Sequence, residues 1–385
     1  MQPTLAGVRV VEQGTFITGP CAGMMLADLG ADLIKVESPD GDPYRAYHGG
    51  QYSPHFQAYN RNKRSLALDM KLKSDRALFD GLISQADVYI QNFRPGTADR
   101  LGAGVERLQQ LNPRLVYCSI SGFGSSGPYV DRPSYDSVAQ ALSGFLSVVV
   151  DYQRPQFLGP ALADAITGLY ASQGILAALV QRGRTGRGCH VEVSMLEAMT
   201  HFAVEPFAAF FALGQTPTSA DRPRLAQAYI LRTADDRLIA IHLSSLEKFW
   251  QGLVAALEAP ELASDPRFNP RERRIAEYET LRLELSARFA RQPLDHWVRR
   301  LQAEDVPYAP VNRMDDVVRD PQVGHLGIVV PVELPHTATH AVRPAVQFDG
   351  SRAQSVYAAP LLDQHGEAIR AVLGRGETWP ARGCG

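Results

Sequence analysis

Val8-Arg9-Val10-Val11-Glu12, then Cys21-Ala22-Gly23-Met24-Met25-Leu26-Ala27-Asp28-Leu29-Gly30, then Asp32-Leu33-Ile34-Lys35-Val36-Glu37: this opening decides the fold. The outer runs are short, apolar and rich in β-branched residues, as strands are. The middle run has a helix-forming composition and stops at Gly30. A turn bearing Gly14 and Gly19-Pro20 separates the first strand from the helix. Strand, helix and strand make a β-α-β unit, so the chain opens as a parallel α/β domain. Glu37 ends the second strand, where a dinucleotide fold holds a ribose. Gly14, Gly19 and Gly23 do not fit G-x-G-x-x-G, however, and a dehydrogenase is disfavoured.

Working outward, Asp40-Gly41-Asp42-Pro43 opens a loop running to about Tyr59, long enough to be functional. Asn60 to Lys71 is a basic lead into a short strand, and the cluster at 61–64, taken alone, reads as a solvated surface loop. A helix is expected over 74–85 and a strand over 86–91, ending at Asn92-Phe93-Arg94-Pro95-Gly96. Another strand spans 115–120 and ends in the glycine-bearing turn Ser121 to Pro128. Loops at strand C-termini are where open α/β sheets bind ligands.

A helix is expected over 136–149. After Gly159-Pro160, Ile166, Leu169, Tyr170, Gln173, Leu176 and Val180 recur at helical steps. Asp164 lies in the first turn of that helix and is the only charged residue between Arg154 and Arg182. Free N–H groups there favour its ionised form, and its small neighbours leave room for something bulky. Read alone, it is a cap on a tightly packed helix. A turn at 183–188, a strand over 189–193 and an apolar helix from Met195 to about Gly214 follow.

The composition then changes. Residues 1–214 read as a large α/β domain, 215–224 as a linker, and 225–325 as a smaller α+β domain. In the small domain, strands are expected over 228–232, 238–242 and 306–312. Helices are expected near 245–258, 271–290 and 293–303. The segment 326–385, with a strand over 327–332 and a helix near 364–373, returns to complete the first domain.

At 385 residues with a formal net charge of −2, the chain lacks the basic field of a nucleic-acid binder. Cys21, Cys118, Cys189 and Cys384 are scattered without a C-x-x-C pair, which points to reduced thiols and no metal site. Met1-Gln2-Pro3-Thr4-Leu5 lacks a signal-peptide pattern. No apolar run reaches bilayer length; Met195–Leu213 comes nearest but carries Glu197, His201, Glu205 and Pro206. The expectation is a cytoplasmic protein with no membrane or nucleic-acid partner.

Several segments together resemble the class III CoA-transferase family, which holds formyl-CoA and carnitine CoA-transferases and the 2-methylacyl-CoA racemases. They are Leu5 to Val10, Leu26 to Glu37, Asn60 to Asp69, Gln91 to Gly96, Leu111 to Gly124, the stretch around Asp164, Gly186-Arg187-Gly188 and Val193 to Ala198. The likeness runs through most of residues 5–200 and is looser in the small domain, where it rests on segments such as Asp316 to Gln322. It implies a Rossmann-like large domain with a parallel sheet, a smaller α+β domain and an interlocked, ring-like homodimer. It puts the catalytic aspartate at Asp164. CoA contacts fall on Ile17, Leu68, Lys71, Asn92, Phe93, Arg94, Arg100, Tyr135 and Met195.

Lys71 and Arg100 suit the phosphates of CoA, and Phe93 suits its adenine. Acyl-CoA and a carboxylic acid are the implied substrates, with no metal and no permanently bound cofactor. Backbone N–H groups beside Asp164, or the turn at 122–127, are the expected oxyanion donors. Racemases of the family carry histidine where this chain has Tyr135 and glutamate near Ser245-Leu246. Neither Tyr nor Leu is a base at neutral pH, so a transferase is favoured over a racemase or a non-catalytic CoA-binding protein. Ile17, Ser38 and His242-Leu243-Ser244-Ser245 depart from the formyl-CoA transferase pattern, which disfavours formate and oxalate.

Overall fold

The computed structural model describes residues 3–244, 247–334, 338–352, 356–377 and 379. The expectations at Ser245, Leu246 and Cys384 lie outside the described residues. Two units divide the chain. The first holds residues up to 146, 157–204 and those from 324 onward; the second holds 147–156 and 205–323.

In the first unit β1 (Arg9–Glu12), α1 (Thr18–Asp28), β2 (Asp32–Glu37), α2 (Pro54–Asn60), β3 (Arg64–Ala67), α3 (Lys73–Ile83) and β4 (Val88–Gln91) come first. Then follow α4 (Thr97–Arg100), α5 (Val105–Leu111), β5 (Val116–Ser121), α6 (Asp136–Leu142), α7 (Leu162–Thr185), β6 (His190–Ser194) and α8 (Met195–Phe202). The strands form one sheet in the order β3-β2-β1-β4-β5-β6, and every pairing in it is parallel. A parallel sheet covered on both faces needs nearly continuous apolar strands. Val10, Val11, Leu33, Ile34, Val88, Tyr89 and Ile90 supply them, all fully buried.

One face packs Val11, Ile34, Leu66 and Tyr89 against Phe79 and Leu82 of α3, Leu108 of α5 and Ile369 of the C-terminal helix Gly366–Gly374. The other packs Val10, Leu33 and Ile90 against Leu26 of α1 and Ala171 and Ile175 of α7. Gly168 lets α1 and α7 approach this closely, because a Cβ there would lie 2.7 Å from that of Cys21. An antiparallel hairpin, Val329–Glu333 with Ala338–Val342, also belongs to this unit.

The second unit holds a three-stranded antiparallel sheet of β7 (Ala228–Arg232), β8 (Leu238–His242) and β9 (Tyr308–Pro310). Helices carrying Trp250, Leu253, Leu281, Phe289 and Trp297 build its core, with the last two rings stacked at 4.4 Å.

Several boundaries differ from the sequence reading. The helix expected over 136–149 ends at Leu142, with Gly144 at φ 81, and a short 3-10 turn covers Phe145–Val148. The helix expected from Met195 to 214 breaks at Ala203. Pro206 is the reason: its ring clashes with the carbonyl four residues back, so α8 stops and Val204–Leu213 starts afresh. That second helix groups with the second unit rather than with the 1–214 domain. The expected linker carries a helix, Asp221–Ala226. α7, not Met195–Leu213, is the one helix among the described residues long and apolar enough to cross a bilayer. That is a matter of length and composition, and 44 % of its apolar window is buried inside the protein.

Candidate active site

The strand order reverses between β1 and β4, and open α/β sheets leave a crevice at the C-terminal ends of such a pair. Asn92, the residue after β4, sews that crevice shut at its base. Its Oδ1 accepts from the Thr15 amide at 2.9 Å, and its Nδ2 donates to Thr15 O and Thr18 Oγ1, each at 2.8 Å. The Asn92 amide is therefore used in fixing the β1–α1 loop.

Beneath that loop lies an ion network with no solvent contact. Lys35 Nζ donates to Glu12 Oε1 at 2.9 Å and to Gly14 O at 2.6 Å, and stands 3.1 Å from Asp42 Oδ2. Lys63 Nζ donates to Glu12 Oε2 at 2.6 Å, Pro20 O at 2.8 Å and Asn60 Oδ1 at 2.9 Å. Burial opposes the charge of Glu12, but the two ammonium groups outweigh it and hold the carboxyl below its usual value. Burial pulls Lys63 down to about 8 despite Glu12, whereas Lys35, with a second carboxylate in Asp42, is pushed up.

The basic cluster at 61–64 is thus not a solvated loop. Arg61 pairs with Asp28 at 2.6 Å and Arg64 with Asp32 at 2.8 Å, while the Asn62 amide donates to Asp28 at 2.8 Å. Glu37 does not face a ribose either. Arg45 grips it with two bonds of 2.7 and 2.8 Å, and Ser65 adds a third at 2.8 Å.

Asp164 sits in the first turn of α7, half-buried. It is not the cap of its own helix. Asp136 does that work, with Oδ1 accepting from Ala163 N at 2.7 Å and Asp164 N at 3.3 Å. The amides expected as oxyanion donors are therefore partly spent. Burial, with the negative Asp136 beside it, pushes the Asp164 carboxyl up to about 7. This reverses the expected preference for the ionised form: loss of water outweighs the helix end. Among the described residues none hydrogen-bonds the carboxyl, which borders the space before it.

That space is a cavity of about 880 Å³. It brings together seven expected site residues: Ile17, Asn92, Phe93, Arg94, Tyr135, Asp164 and Met195. Gly122 and Gly124 of the expected oxyanion turn also line it. Leu68, Lys71 and Arg100 are not among its lining. Leu68 is buried in the core beside α3, while Lys71 and Arg100 are exposed, the latter donating to Thr97 Oγ1 at 2.7 Å. The sequence reading missed Phe16, Tyr44, Tyr47, Arg132 and Asp136, all of which line the cavity. The aromatic content of the 40–59 loop was the one signal for Tyr44 and Tyr47. Arg132 lies over the Tyr129 ring at 4.4 Å. Among the described residues no cluster of three or more His, Cys, Asp or Glu could hold a metal.

Residues 5–366 match the family described as CoA-transferase family III. The acetyl-CoA:oxalate CoA-transferase of Acetobacter aceti is 33 % identical over 370 residues, covering 94 % of this chain and 94 % of its own. The succinyl-CoA:glutarate CoA-transferase of Homo sapiens is 32 % identical over 374 residues, covering 94 % of this chain and 84 % of its own. Among solved structures, a CAIB/BAIF family protein from Brucella suis matches with a TM-score of 0.86 at 34 % identity, over 96 % of this chain and 99 % of that one.

Proposed function

The chain belongs to CoA-transferase family III, and from that premise we propose that it moves CoA from an acyl-CoA to a free carboxylic acid through covalent intermediates on Asp164. The observation that carries this reading is the Asp164 carboxyl itself: without a hydrogen-bond partner among the described residues, bordering the cavity and raised to about 7. A carboxylate so desolvated is more basic than an ordinary one, and hence a better nucleophile.

Its oxygen attacks the donor thioester carbonyl, forming an acyl-aspartyl anhydride and expelling CoA thiolate. The thiolate attacks the aspartyl carbonyl, forming aspartyl-CoA and releasing the donor acid as its carboxylate. The acceptor carboxylate attacks that thioester, making a second anhydride and freeing thiolate again. Thiolate then attacks the acceptor acyl carbonyl, giving the new acyl-CoA and restoring Asp164. Carboxylates of similar leaving ability are exchanged throughout, so no net proton, metal or redox partner enters the balance.

CoA is proposed to lie along Phe93, Arg94, Tyr135 and Met195, with its phosphates toward the exposed Lys71 and Arg100. Ile17 borders the acyl end, Asn92 acts by holding the β1–α1 loop, and Leu68 supports from the core. Tyr135 in place of a histidine supports transfer over racemisation. Relatives named for oxalate and for glutarate stand at nearly equal identity, so likeness alone does not choose the acid. Succinyl-CoA with a dicarboxylate acceptor is the first pair to test. We further propose a cytoplasmic, interlocked homodimer that stays dimeric on dilution; a monomer by sedimentation at micromolar protein overturns it.

The test of the mechanism uses the pure enzyme with a panel of acyl-CoA donors and free acids, read by mass spectrometry. Donor without acceptor leaves an adduct on the Asp164 peptide that hydroxylamine traps as a hydroxamate. Turnover with no such adduct overturns the covalent route. Rapid α-deuteration of a 2-methylacyl-CoA in deuterated water, without acceptor, overturns the transferase reading.

A further inference from the structure

Phe16 stands in the wall of the Asp164 cavity with φ 59, in the left-handed region that a side chain with a Cβ disfavours. Such a conformation persists only where the surroundings over-determine it. Asn92 holds Thr15 on one side, and Ile17 O accepts from Cys21 N at 2.7 Å on the other. The Phe16 amide itself donates to Asp42 Oδ1 at 3.1 Å. The same oxygen accepts from Tyr44 N at 2.9 Å, so one carboxylate ties two residues of the cavity wall whose rings lie 5.8 Å apart.

The other oxygen of Asp42 faces Lys35 Nζ at 3.1 Å, with both side chains fully buried. Lys35 in turn holds Gly14 O at 2.6 Å, two residues before Phe16. The loop is therefore gripped by its carbonyl at 14 and its amide at 16, through one buried ion pair. Neither member of the pair borders the cavity.

We propose that Asp42, anchored by Lys35, is a positioning residue: it holds Phe16 left-handed and so sets the wall against which the acyl group on Asp164 is turned. This rests on the proposed transfer for the acyl group and for the rate assay, while the hold on Phe16 itself does not. The role is to shape the site, not to touch the reacting atoms.

A double-substitution cycle tests it. Asp42→Glu keeps the charge that Lys35 needs but moves the acceptor off the two amides. Asp42→Asn keeps the volume instead; Lys35 claims its one oxygen, so its NH2 faces two N–H donors and the clamp opens as well. Each is combined with Phe16→Gly, because glycine takes positive φ without help. The rate is that of the donor–acceptor pair with the highest turnover in the panel. With Phe16 present, either substitution lowers kcat by about tenfold or more per folded site, with KM within about threefold; in the Phe16→Gly background it costs less than about threefold. Hydrogen exchange gives an activity-free reading: protection of the Phe16 and Tyr44 amides falls in Asp42→Glu.

Equal losses in both backgrounds overturn the proposal, as does unchanged amide protection. A lowered Tm with kcat per folded site intact also overturns it, since that is what a merely structural pair gives. The cycle can fail while the hydroxylamine adduct still forms on Asp164, so the two readings fall separately.

Discussion

Glu12 and Asp164 are both withdrawn from water in the same unit, yet they are driven in opposite directions. Glu12 ends β1 with two lysines on its two oxygens, and its carboxyl is held below the usual range. Asp164 opens α7 with no ion-pair partner among the described residues and a second acid, Asp136, on its own amide; its carboxyl rises to about 7. Burial acts on each in the same sense, so the partners decide the outcome. Counter-ions make the buried Glu12 part of the structure, while the proposed role of Asp164 draws on the want of one.

The largest test of that contrast exchanges each acid for its amide. Asp164→Asn is expected to lower transfer by roughly a thousandfold or more while folding normally and still binding CoA, by titration calorimetry. Near-normal turnover would make Asp164 an ordinary first-turn residue. Glu12→Gln is expected to do the reverse, costing about 3–5 kcal/mol of stability in urea melts because two buried lysines lose their charge partner. A loss under about 1 kcal/mol there would show that the network tolerates an uncompensated charge.

A second test uses pH. Asp164 has a folded pKa raised from 3.8 to about 7, so between those values the folded state binds more protons than the unfolded one. Its contribution to stability is fully present below about pH 4 and is lost as pH rises through 7. Asp164→Asn removes this loss. Relative to wild type it should gain about 2 kcal/mol between pH 4 and pH 8, half the full linkage value because the group is partly exposed. A difference that does not change with pH contradicts the raised value.

The smallest effect is expected at Asp136. Asn there still caps α7 but removes the neighbouring charge, so the acid limb of the kcat profile should move down by about half a pH unit. An upward movement would show that Asp136 does not act on Asp164 through its charge.

The β-α-β opening was legible because a parallel strand announces itself locally, in the run Val10, Val11 or Leu33, Ile34. Asp164 stood out as a lone charge in an apolar helix, but read alone it passed for the cap, a post that Asp136 fills, and its catalytic role was only what the resemblance implied. The basic stretch at 61–64 misled because its partners, Asp28, Asp32 and Glu12, lie far back in the chain; no period or motif shows which acid a lysine will meet. Glu37 was misplaced for the same reason, its fate being settled by Arg45 and Ser65. The cap on α7 comes from Asp136, across a gap that no local rule reads. One mark of the network was on view: a Cβ at Gly23 would lie 2.2 Å from Glu12 Oε2, so the glycine clears the space the carboxylate needs.

Gly168 lies one turn beyond Asp164, where α7 presses on Cys21 of α1. A single methyl group there would shift the helix that carries Asp164 against the helix that follows the Gly14–Ile17 loop, and the two sides of the cavity would lose alignment together. The helix pair is thus closed to gradual change. Tyr44, Tyr47, Arg132 and Tyr135 line the same cavity, and under the proposed transfer a new acid would be met by changes there rather than at Gly168.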